Sequence, residues 1–385
     1  MSGIYIHIPF CKQKCSYCDF HFSTSLKNKT ALVNAIILEL EQKKTWLTST
    51  INTIYFGGGT PSMLNESELQ LIVNAIYKWY TIADNIEFTF ECNPDDLSQE
   101  KLKELKQIGV NRLSIGVQSF FEDDLQFFNR AHNAQEAEQS ILRSQDVGFE
   151  NITIDLIYGT PLLTTQKWES NLAKIEQLNV PHLSAYTLTI EPKTALHHQV
   201  KKGKIKPLAD EKTIAQFELL IDTTEALSLT QYEISNFGKE GFYSQHNSNY
   251  WKGVEYLGIG PSAHSYIKNL PLERDFKGVS KRIWNVANNP KYIAALSNNT
   301  SYFDEEIIDK KTAYNEYVLT RLRTIWGIEP AYIKNVFGEE INTHFNKEMK
   351  PYINSEYLHL TNKTITLTKK GIFIADKISS DLFLV

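Results

Sequence analysis

Short apolar segments alternate with helix-like segments along the first two thirds of the chain. Ile4, Ile6 and Ile8 alternate with Tyr5 and His7, a period of two that is typical of a strand. Further apolar runs follow, and the segments between them carry apolar residues at helical spacing. The predicted strands are residues 4–8, 51–56, 86–92, 112–118, 151–158 and 182–189. The predicted helices are residues 29–43, 66–80, 99–108, 134–145 and 167–177.

This alternation predicts the α/β class, because strands separated by helices form βαβ units that pair in parallel. A regular series of such units favours a partial (β/α)6 barrel. In barrel folds the functional side chains stand at the carboxyl ends of the strands. The units share negligible sequence identity, so the series is not a sequence repeat.

The last third of the chain has a different pattern. Residues 268–299 are polar and irregular, residues 311–324 have helical spacing, and residues 371–384 predict a closing helix. Two short alternating runs flank Asn362 and Lys363, which predicts a hairpin within the segment. Helix, hairpin and helix together predict a smaller α+β module that resembles a winged helix.

These patterns predict two domains. We expect a core barrel over residues 1–240 and a C-terminal domain over residues 241–385. The boundary is placed where the strand–helix alternation ends and the irregular pattern begins.

Composition is that of an ordinary globular protein. Of the 385 residues, 42% are hydrophobic and 22% are charged, so a full-sized core can form without disulfides. The net charge of −5 argues against a nucleic-acid partner. No run of about 18 apolar residues appears, so we expect no transmembrane helix. The start has no basic leader and the cysteines cluster instead of pairing, which favours a cytoplasmic location.

Three of the four cysteines, Cys11, Cys15 and Cys18, have the spacing C-x3-C-x2-C. Thiolates are the natural ligands of iron–sulfur clusters, and three of them leave one iron of a [4Fe–4S] cluster open to a small molecule. Zinc is the alternative, but structural zinc usually closes four positions with two separated pairs. Cys92 is interpreted as strand packing, and His21 could supply a fourth ligand only in a cramped geometry. The spacing favours the cluster.

Polar and glycine-rich segments also stand at the predicted carboxyl ends of several strands. Each has a plain structural alternative: the glycines could form a tight turn, the charged residues could be solvated, and the others could hold the fold together. Their coincidence with the cysteine loop favours a functional site. These residues are 57–61, Glu91, Asn93, Gln118, Arg130, Asp155 and 159–161.

The same residues occur in strings that resemble the radical S-adenosylmethionine (SAM) superfamily. Within it, the chain is similar to the coproporphyrinogen III dehydrogenase-like branch, which includes anaerobic dehydrogenases of haem synthesis and haem chaperones. The resemblance extends over nearly the whole chain, including residues 256–264 and the final module. The matching strings begin at Tyr5, Phe56, Glu91, Arg112, Arg130 and Asp155.

The resemblance implies a [4Fe–4S] cluster on Cys11, Cys15 and Cys18, with SAM on its open iron. In such a pocket an arginine suits the methionine carboxylate, acidic residues suit the ribose hydroxyls, and glycine carbonyls suit the amino group. The residues implied to line the SAM pocket are Tyr5, Gly58, Gly59, Thr60, Glu91, Gln118, Arg130 and Asp155.

Two features divide the members of this branch. The dehydrogenases carry a fourth cysteine two residues after the third, and Phe20 stands at that position here. The string His246-Asn247-x-x-Tyr250-Trp251 resembles the H-N-x-x-Y-W motif of the haem chaperones, in which His246 would ligate the haem iron. On spacing alone, a loop histidine beside packed aromatic residues is the simpler interpretation, and the intact motif favours haem.

The resemblance therefore implies a haem chaperone that binds haem, keeps the cluster and SAM, and delivers haem to acceptor proteins. The alternative is an oxygen-independent oxidase that decarboxylates coproporphyrinogen III to protoporphyrinogen IX, so enzymatic activity stays open. The dehydrogenases tend to have an N-terminal extension, which we expect to be absent because ten residues precede Cys11. A homodimer and a peripheral contact with a membrane are compatible with the resemblance.

Other histidines carry weaker indications. His7 is expected to orient the site, and His264 ends the string Gly-Ile-Gly-Pro-Ser-Ala-His near the end of the barrel. His197 and His198 are interpreted as surface residues, because adjacent residues on a regular element face different ways.

Overall fold

The structure is a computed structural model that describes residues 1–268, 280–361 and 363–385. Asn362 of the predicted hairpin and residues 269–279 of the predicted irregular stretch lie outside the described residues. The strands are β1 (Ser2–Ile8), β2 (Ile51–Gly58), β3 (Ile82–Cys92), β4 (Arg112–Gln118), β5 (Asn151–Tyr158), β6 (His182–Thr187), β7 (Thr230–Glu233), β8 (Asn236–Gly238), β9 (Tyr256–Ile259), β10 (His264–Ile267), β11 (Ser280–Asn285), β12 (Phe303–Ile308), β13 (Leu358–Leu360) and β14 (Ile365–Leu367). The helices are α1 (Lys29–Gln42), α2 (Glu66–Trp79), α3 (Gln99–Ile108), α4 (Glu122–Phe127), α5 (Ala134–Asp146), α6 (Thr165–Gln177), α7 (Ala195–Lys201), α8 (Asp210–Ala226), α9 (Gln245–Trp251), α10 (Asn289–Ser297), α11 (Lys310–Leu322), α12 (Pro330–Tyr332), α13 (Glu339–Asn354), α14 (Lys369–Ile372) and α15 (Ala375–Asp381).

The first six strands form a parallel sheet in chain order, as the alternation predicts. β1 pairs with β2, and each later strand pairs with the next as far as β6. A seventh parallel strand, β9, pairs with the other side of β1. The cysteine loop therefore leaves the sheet at a strand with a neighbour on each side.

Antiparallel strands extend this sheet at both edges. Strands β10, β11 and β12 continue from β9, while β8 and β7 continue from β6. The described residues form a twelve-stranded sheet that starts at β12 and ends at β7, and a separate hairpin of β13 and β14. The predicted α/β class with an open, partial barrel and a smaller C-terminal module is confirmed.

Side-chain caps fix the beginnings of several helices around the sheet. Asn65 accepts a hydrogen bond from the backbone of Glu68, whose carboxylate accepts one in return, and Asn133 and Glu136 do the same at the start of α5. Gly109, at φ +103°, ends α3 in the left-handed conformation. The apolar faces of these helices pack on the sheet and form the main core.

The predicted helices of the barrel are confirmed, with ends that differ by at most two residues. The same holds for the helix predicted over residues 311–324, which is α11. The closing helix predicted over residues 371–384 is wrong as a single element, because the chain leaves the helical path between α14 and α15. Strands β7–β12 and helices such as α8 and α13 are additional to the predicted elements.

Apolar residues form two separate cores. The larger lies between the sheet and its helices and extends to Tyr302. The smaller belongs to the C-terminal module, in which Tyr314 and Phe345 pack with the hairpin residues Leu358 and Ile365. The division of the chain at residue 240 stays a prediction. Among the described residues, no helix combines the length and apolar character needed to cross a membrane.

Candidate functional site

A loop after β1 carries the three motif cysteines. Cys11 donates its backbone N–H to the Ser23 carbonyl at 3.1 Å, and Ser23 donates to the Pro9 carbonyl at 2.8 Å. These bonds tie the two ends of the loop together. In the middle, Ser16 donates its backbone N–H to the Phe128 carbonyl at 2.9 Å. The loop is therefore held against the segment that follows β4.

The three thiols are partly exposed and influence one another's ionisation. Burial raises the pKa of Cys11, and the neighbouring Cys15 adds to that effect. Burial raises the pKa of Cys18 to about 11, again with contributions from the other two thiols. No three cysteine, histidine or carboxylate side chains of the described residues converge as ligands of a single metal ion would. The mutual influence of the three thiols places them near one another, as the cysteine ligands of an iron–sulfur cluster are.

Arg130 links the cysteine loop to the ends of β3 and β4. Its Nη1 donates to Cys15 Sγ at 3.3 Å, and its Nη2 donates to Asn93 Oδ1 at 2.6 Å and to the Gly116 carbonyl at 2.8 Å. Its Nε is buried without a hydrogen-bond partner among the described residues. A hydrogen bond to a charged group contributes about 1.5–3 kcal/mol. A buried cation with an unused donor beside three thiols therefore fits an anionic cluster or a carboxylate.

The backbone after β2 lies too close to its neighbours for side chains. Gly58 has φ +107°, and a Cβ there would lie 2.5 Å from the His7 ring. A Cβ at Gly59 would lie 2.7 Å from the Phe10 carbonyl. Only glycine avoids both the strained dihedral angle and the clash. The peptide groups of this segment thus lie directly beside the cysteine loop.

The carboxyl ends of β1–β5 and the loops that follow them form one edge of the sheet, which we call the rim, and two carboxylates stand there. Glu91 accepts from the Tyr55 hydroxyl at 2.7 Å and from the Gly58 N–H at 3.1 Å. Burial raises the pKa of Glu91. Burial, and then the charge of Glu91, raise the pKa of Asp155 to about 7. Two partly exposed carboxylates with raised pKa values fit hydrogen bonding to the hydroxyl groups of a ligand.

The other predicted SAM residues surround this rim. The Tyr5 hydroxyl lies 3.2 Å from His7 Nδ1, and the Thr60 hydroxyl accepts from the Asn93 amide at 3.1 Å. Gln118 ends β4 with φ +70°, which is uncommon for a residue other than glycine. All eight predicted SAM residues thus lie in β1–β5 or in the loops after them. Their contact with SAM stays a prediction.

The predicted haem ligand His246 lies on α9, against β2. Its side chain is only 2% exposed; Nδ1 is hydrogen-bonded to the Thr53 hydroxyl and Nε2 to the Tyr250 hydroxyl, both at 2.8 Å. Burial lowers the pKa of His246 to about 3, so the ring is neutral near pH 7. Ligation of iron would require Tyr250 to leave Nε2. The ligand role of His246 stays a prediction under that condition.

A cavity of about 1100 Å³ opens beside the rim and extends to the C-terminal module. Tyr5, Gly58 and Glu91 form part of its wall, as does the motif pair Tyr250 and Trp251. The volume lies just above the usual range of small-molecule sites. The other large aromatic residues of the wall are Phe20, Tyr256, Tyr266, Tyr317, Tyr332 and Phe337.

Three cations of the cavity wall are Lys252, Lys268 and Arg321. Among the described residues, no carboxylate forms an ion pair with Lys252, Lys268 or Arg321. Burial lowers the pKa of Lys252, and the charge of Arg321 lowers it further. Burial lowers the pKa of Lys268, the charge of Glu255 partly offsets that shift, and the charge of Arg321 lowers the pKa again. Three cations that form no ion pair with a described carboxylate, in a partly buried wall, favour an anionic ligand.

Sequence reasoning missed these cations for a physical reason. Lys252 follows α9, Lys268 follows β10, and Arg321 lies on α11, so the fold alone brings them together. The one available signal was that Lys252 directly follows the aromatic pair of the His246 motif.

Comparison with known proteins gives two matching family models. Residues 5–175 match the radical SAM superfamily, and residues 308–374 match the HemN C-terminal domain. The chain is 33% identical over 384 residues to "Heme chaperone HemW" of Bacillus subtilis, with 98% of each chain covered. It is 36% identical over 271 residues to "Heme chaperone HemW" of Escherichia coli, with 69% of this chain and 70% of that protein covered.

A solved structure is similar over nearly the whole chain. It is the coproporphyrinogen III oxidase HemN from Escherichia coli, described as a radical SAM enzyme. The TM-score is 0.83 at 19% identity, with 99% of this chain and 90% of that chain covered. At this identity the likeness concerns the fold.

Proposed function

Because the chain belongs to the HemW family of radical SAM proteins, we propose that it is a haem chaperone. It binds haem, keeps a [4Fe–4S] cluster and SAM, and delivers haem to acceptor proteins. The observation that carries the proposal is the similarity to a relative named as a haem chaperone, which covers 98% of both chains at 33% identity.

The cavity supports a tetrapyrrole as the ligand. Haem is a flat aromatic macrocycle with two carboxylates at one edge. Tyrosine, tryptophan and phenylalanine side chains of the wall can pack against such a ring. Lys252, Lys268 and Arg321 can pair with its carboxylates, which would offset their mutual repulsion.

The rim supports the cluster and SAM as further ligands. Cys11, Cys15 and Cys18 would hold the cluster, which supplies one-electron chemistry to SAM when bound. Arg130 would place positive charge beside Cys15 and an anionic group of SAM. The residues proposed to contact SAM are Tyr5, Gly58, Gly59, Thr60, Glu91, Gln118, Arg130 and Asp155. In a chaperone, the cluster and SAM serve as structural or regulatory elements.

The His246 motif contributes to the haem site in this proposal. Tyr250 and Trp251 belong to the cavity wall, and His246 lies behind Tyr250, which bonds its Nε2. His246 would ligate iron only after Tyr250 moves. Until then its neutral ring holds Tyr250 in the wall through a 2.8 Å hydrogen bond.

The proposal includes the wider expectations of the resemblance. These are a cytoplasmic location, haem-acceptor proteins as partners, no nucleic-acid partner, a homodimer and a peripheral contact with a membrane. The division into residues 1–240 and 241–385 also belongs to it. The second apolar core supports a distinct C-terminal module.

An anaerobic assay separates the chaperone from the dehydrogenase. Reconstituted protein would be incubated with SAM, an electron donor and coproporphyrinogen III beside an authentic dehydrogenase, and the porphyrins would be resolved by chromatography. The position of the fourth dehydrogenase cysteine is occupied by Phe20, which is 68% exposed and lines the cavity. We expect no protoporphyrinogen IX from protein shown to hold its cluster and SAM.

The same preparation, loaded with haem, would then be mixed with apomyoglobin as a general acceptor. We expect haem transfer, seen as the absorbance of myoglobin. Decarboxylated product at the rate of the control enzyme, without haem transfer, would replace the chaperone proposal with the dehydrogenase.

A further inference from the structure

His264 presents an unoccupied imidazole to the cavity. It begins β10, its side chain is exposed, and it forms part of the cavity wall. No hydrogen bond joins either ring nitrogen to another of the described residues. Its ring contact is with Trp284, at a centroid distance of 6.4 Å. Both nitrogens are therefore available to a ligand.

The other histidines around the cavity are already engaged. His7 Nε2 bonds the His21 carbonyl at 3.0 Å, and His7 Nδ1 lies 3.2 Å from the Tyr5 hydroxyl. His21 Nε2 bonds Asn289 Oδ1 at 2.7 Å. His246 is bonded through both nitrogens. Of these four histidines, only His264 has no hydrogen bond from either ring nitrogen to a described residue.

The backbone holds His264 in a fixed position. A Cβ at Gly258 would lie 2.0 Å from the His264 carbonyl oxygen, so the two strands approach as closely as glycine permits. The turn between them is anchored by buried groups. The Gly260 N–H donates to Glu39 Oε2, and the Gly260 carbonyl accepts from Asn285, both at 2.8 Å. With the backbone fixed, only the side-chain torsions of His264 need to be ordered when it binds a metal, which favours affinity.

The surroundings of His264 keep it neutral. Burial, and then the charge of Arg282, lower the pKa of His264. A neutral imidazole is the form that binds metals and is a common ligand of haem iron. Near neutral pH, binding would therefore require no loss of a proton.

We propose that His264 ligates the iron of a haem bound in the cavity. The inference rests on the proposed haem-binding function and assigns the iron ligand within it. A lone pair of one imidazole nitrogen forms the bond to iron and displaces a weakly held ligand such as water, with no change in oxidation state. His246 keeps its bonds to Thr53 and Tyr250 in this arrangement.

Two ligands and three variants test this assignment on the full chain. Haem and iron-free protoporphyrin IX carry the same carboxylates and ring, but only haem offers iron. We expect His264→Ala to weaken haem binding about tenfold and to change the Soret band and the ferric haem signal in electron paramagnetic resonance. Added imidazole should restore the signal. Protoporphyrin IX affinity should stay at the parent value.

His246→Ala and His359→Ala are measured in parallel. His359 is an exposed residue of β13 outside the cavity wall, so its variant should match the parent. The inference would be overturned if His264→Ala kept the haem affinity, Soret band and paramagnetic resonance signal of the parent. It would also be overturned if these spectra changed in His246→Ala and not in His264→Ala. A parent chain that binds neither haem nor protoporphyrin IX would overturn the proposed function as well.

Discussion

Single residues of the rim act through backbone position as well as charge. Gly58 has φ +107°, a Cβ there would lie 2.5 Å from the His7 ring, and the Gly58 N–H donates to Glu91 at 3.1 Å. A side chain at this position would strain the backbone. It would also displace either the His7 ring or the Gly58 peptide group, whose N–H donates to Glu91. The shape of the proposed SAM pocket therefore depends on this glycine.

The Gly58→Ala variant should lose SAM affinity, whereas Gly241→Ala should retain it. Gly241 also has positive φ, at +85°, but a Cβ there would meet no atom within 4 Å. Backbone strain alone should lower the free energy of unfolding of each variant by about 1–2 kcal/mol, and the clash with His7 adds to the loss only in Gly58→Ala. Equilibrium dialysis measures SAM affinity and urea unfolding measures stability. Parental SAM affinity in folded Gly58→Ala would contradict the proposed pocket.

Asp155 should make SAM binding dependent on pH. Burial and the charge of Glu91 raise its pKa to about 7, so Asp155 ionises as the pH rises through neutrality. The ionised carboxylate accepts hydrogen bonds from hydroxyl groups and attracts the sulfonium charge of SAM. SAM affinity should therefore increase between about pH 6 and about pH 8.

Asp155→Asn should flatten this pH profile, because the amide does not titrate. Asp123→Asn is the control, since Asp123 lies outside the rim, where the hydrogen bond from Lys167 lowers its pKa. Binding isotherms collected across the pH range give the profiles. An unchanged slope in Asp155→Asn would assign the titration to another group.

At the scale of elements, helix α1 anchors the turn between β9 and β10. Glu39 and Lys43, one helical turn apart, form a fully buried ion pair at 2.6 Å. Glu39 also accepts from Asn285 and the Gly260 N–H, each at 2.8 Å, and from the Tyr292 hydroxyl. This network joins α1 to the turn that precedes His264, and so connects helix packing to the cavity wall.

Lys43→Met should destabilise the protein strongly, because it leaves the Glu39 charge buried without its counter-ion. The expected loss in free energy of unfolding is about 3–5 kcal/mol. The double variant Glu39→Gln/Lys43→Met should recover part of it. Lys377→Ala, which breaks an exposed pair with Asp381, should change stability little. Equal small losses in Lys43→Met and Lys377→Ala, measured by urea unfolding, would refute the role of the network.

The sequence predicts those elements whose pattern is local. Strands β1–β6 are apolar runs between amphipathic helices, so their existence and parallel order follow from periodicity. The pairing of β9 with β1 joins residues about 250 positions apart, and a four-residue strand containing Gly258 gives no local signal for it. Helix α13 buries only Phe345 completely, so its helical face is weakly marked.

The candidate site also has one part that the sequence predicts and one part that only the fold reveals. The cysteines and the rim residues occur in compact strings and could be predicted. The cavity could not, because its wall combines β1, the β9–β10 region and α11, and its charge comes from isolated residues such as Lys252 and Arg321. The His246 motif is intact in the sequence, but the motif does not predict the environment of the ring. Both ring nitrogens of His246 are hydrogen-bonded, one to Thr53 and one to Tyr250.

At the scale of the whole molecule, the cavity lies where the barrel rim meets the C-terminal module. Its wall includes Glu91 of the rim and Tyr317 and Phe337 of the module. The module's own apolar core can therefore support one side of the site while the sheet supports the other. A haem bound there would lie beside the cluster loop, as the proposed combination of haem, cluster and SAM on one chain requires.

The most direct test of this account is an equilibrium titration of the full, cluster-loaded chain with haem, followed by absorbance under anaerobic conditions. We expect saturation at one haem per chain. The double variant Lys252→Gln/Arg321→Gln should bind about tenfold or more weakly, because it removes two partners of the carboxylates. Absence of saturable binding in the parent would contradict the haem chaperone. Unchanged affinity in the double variant would place haem outside this cavity.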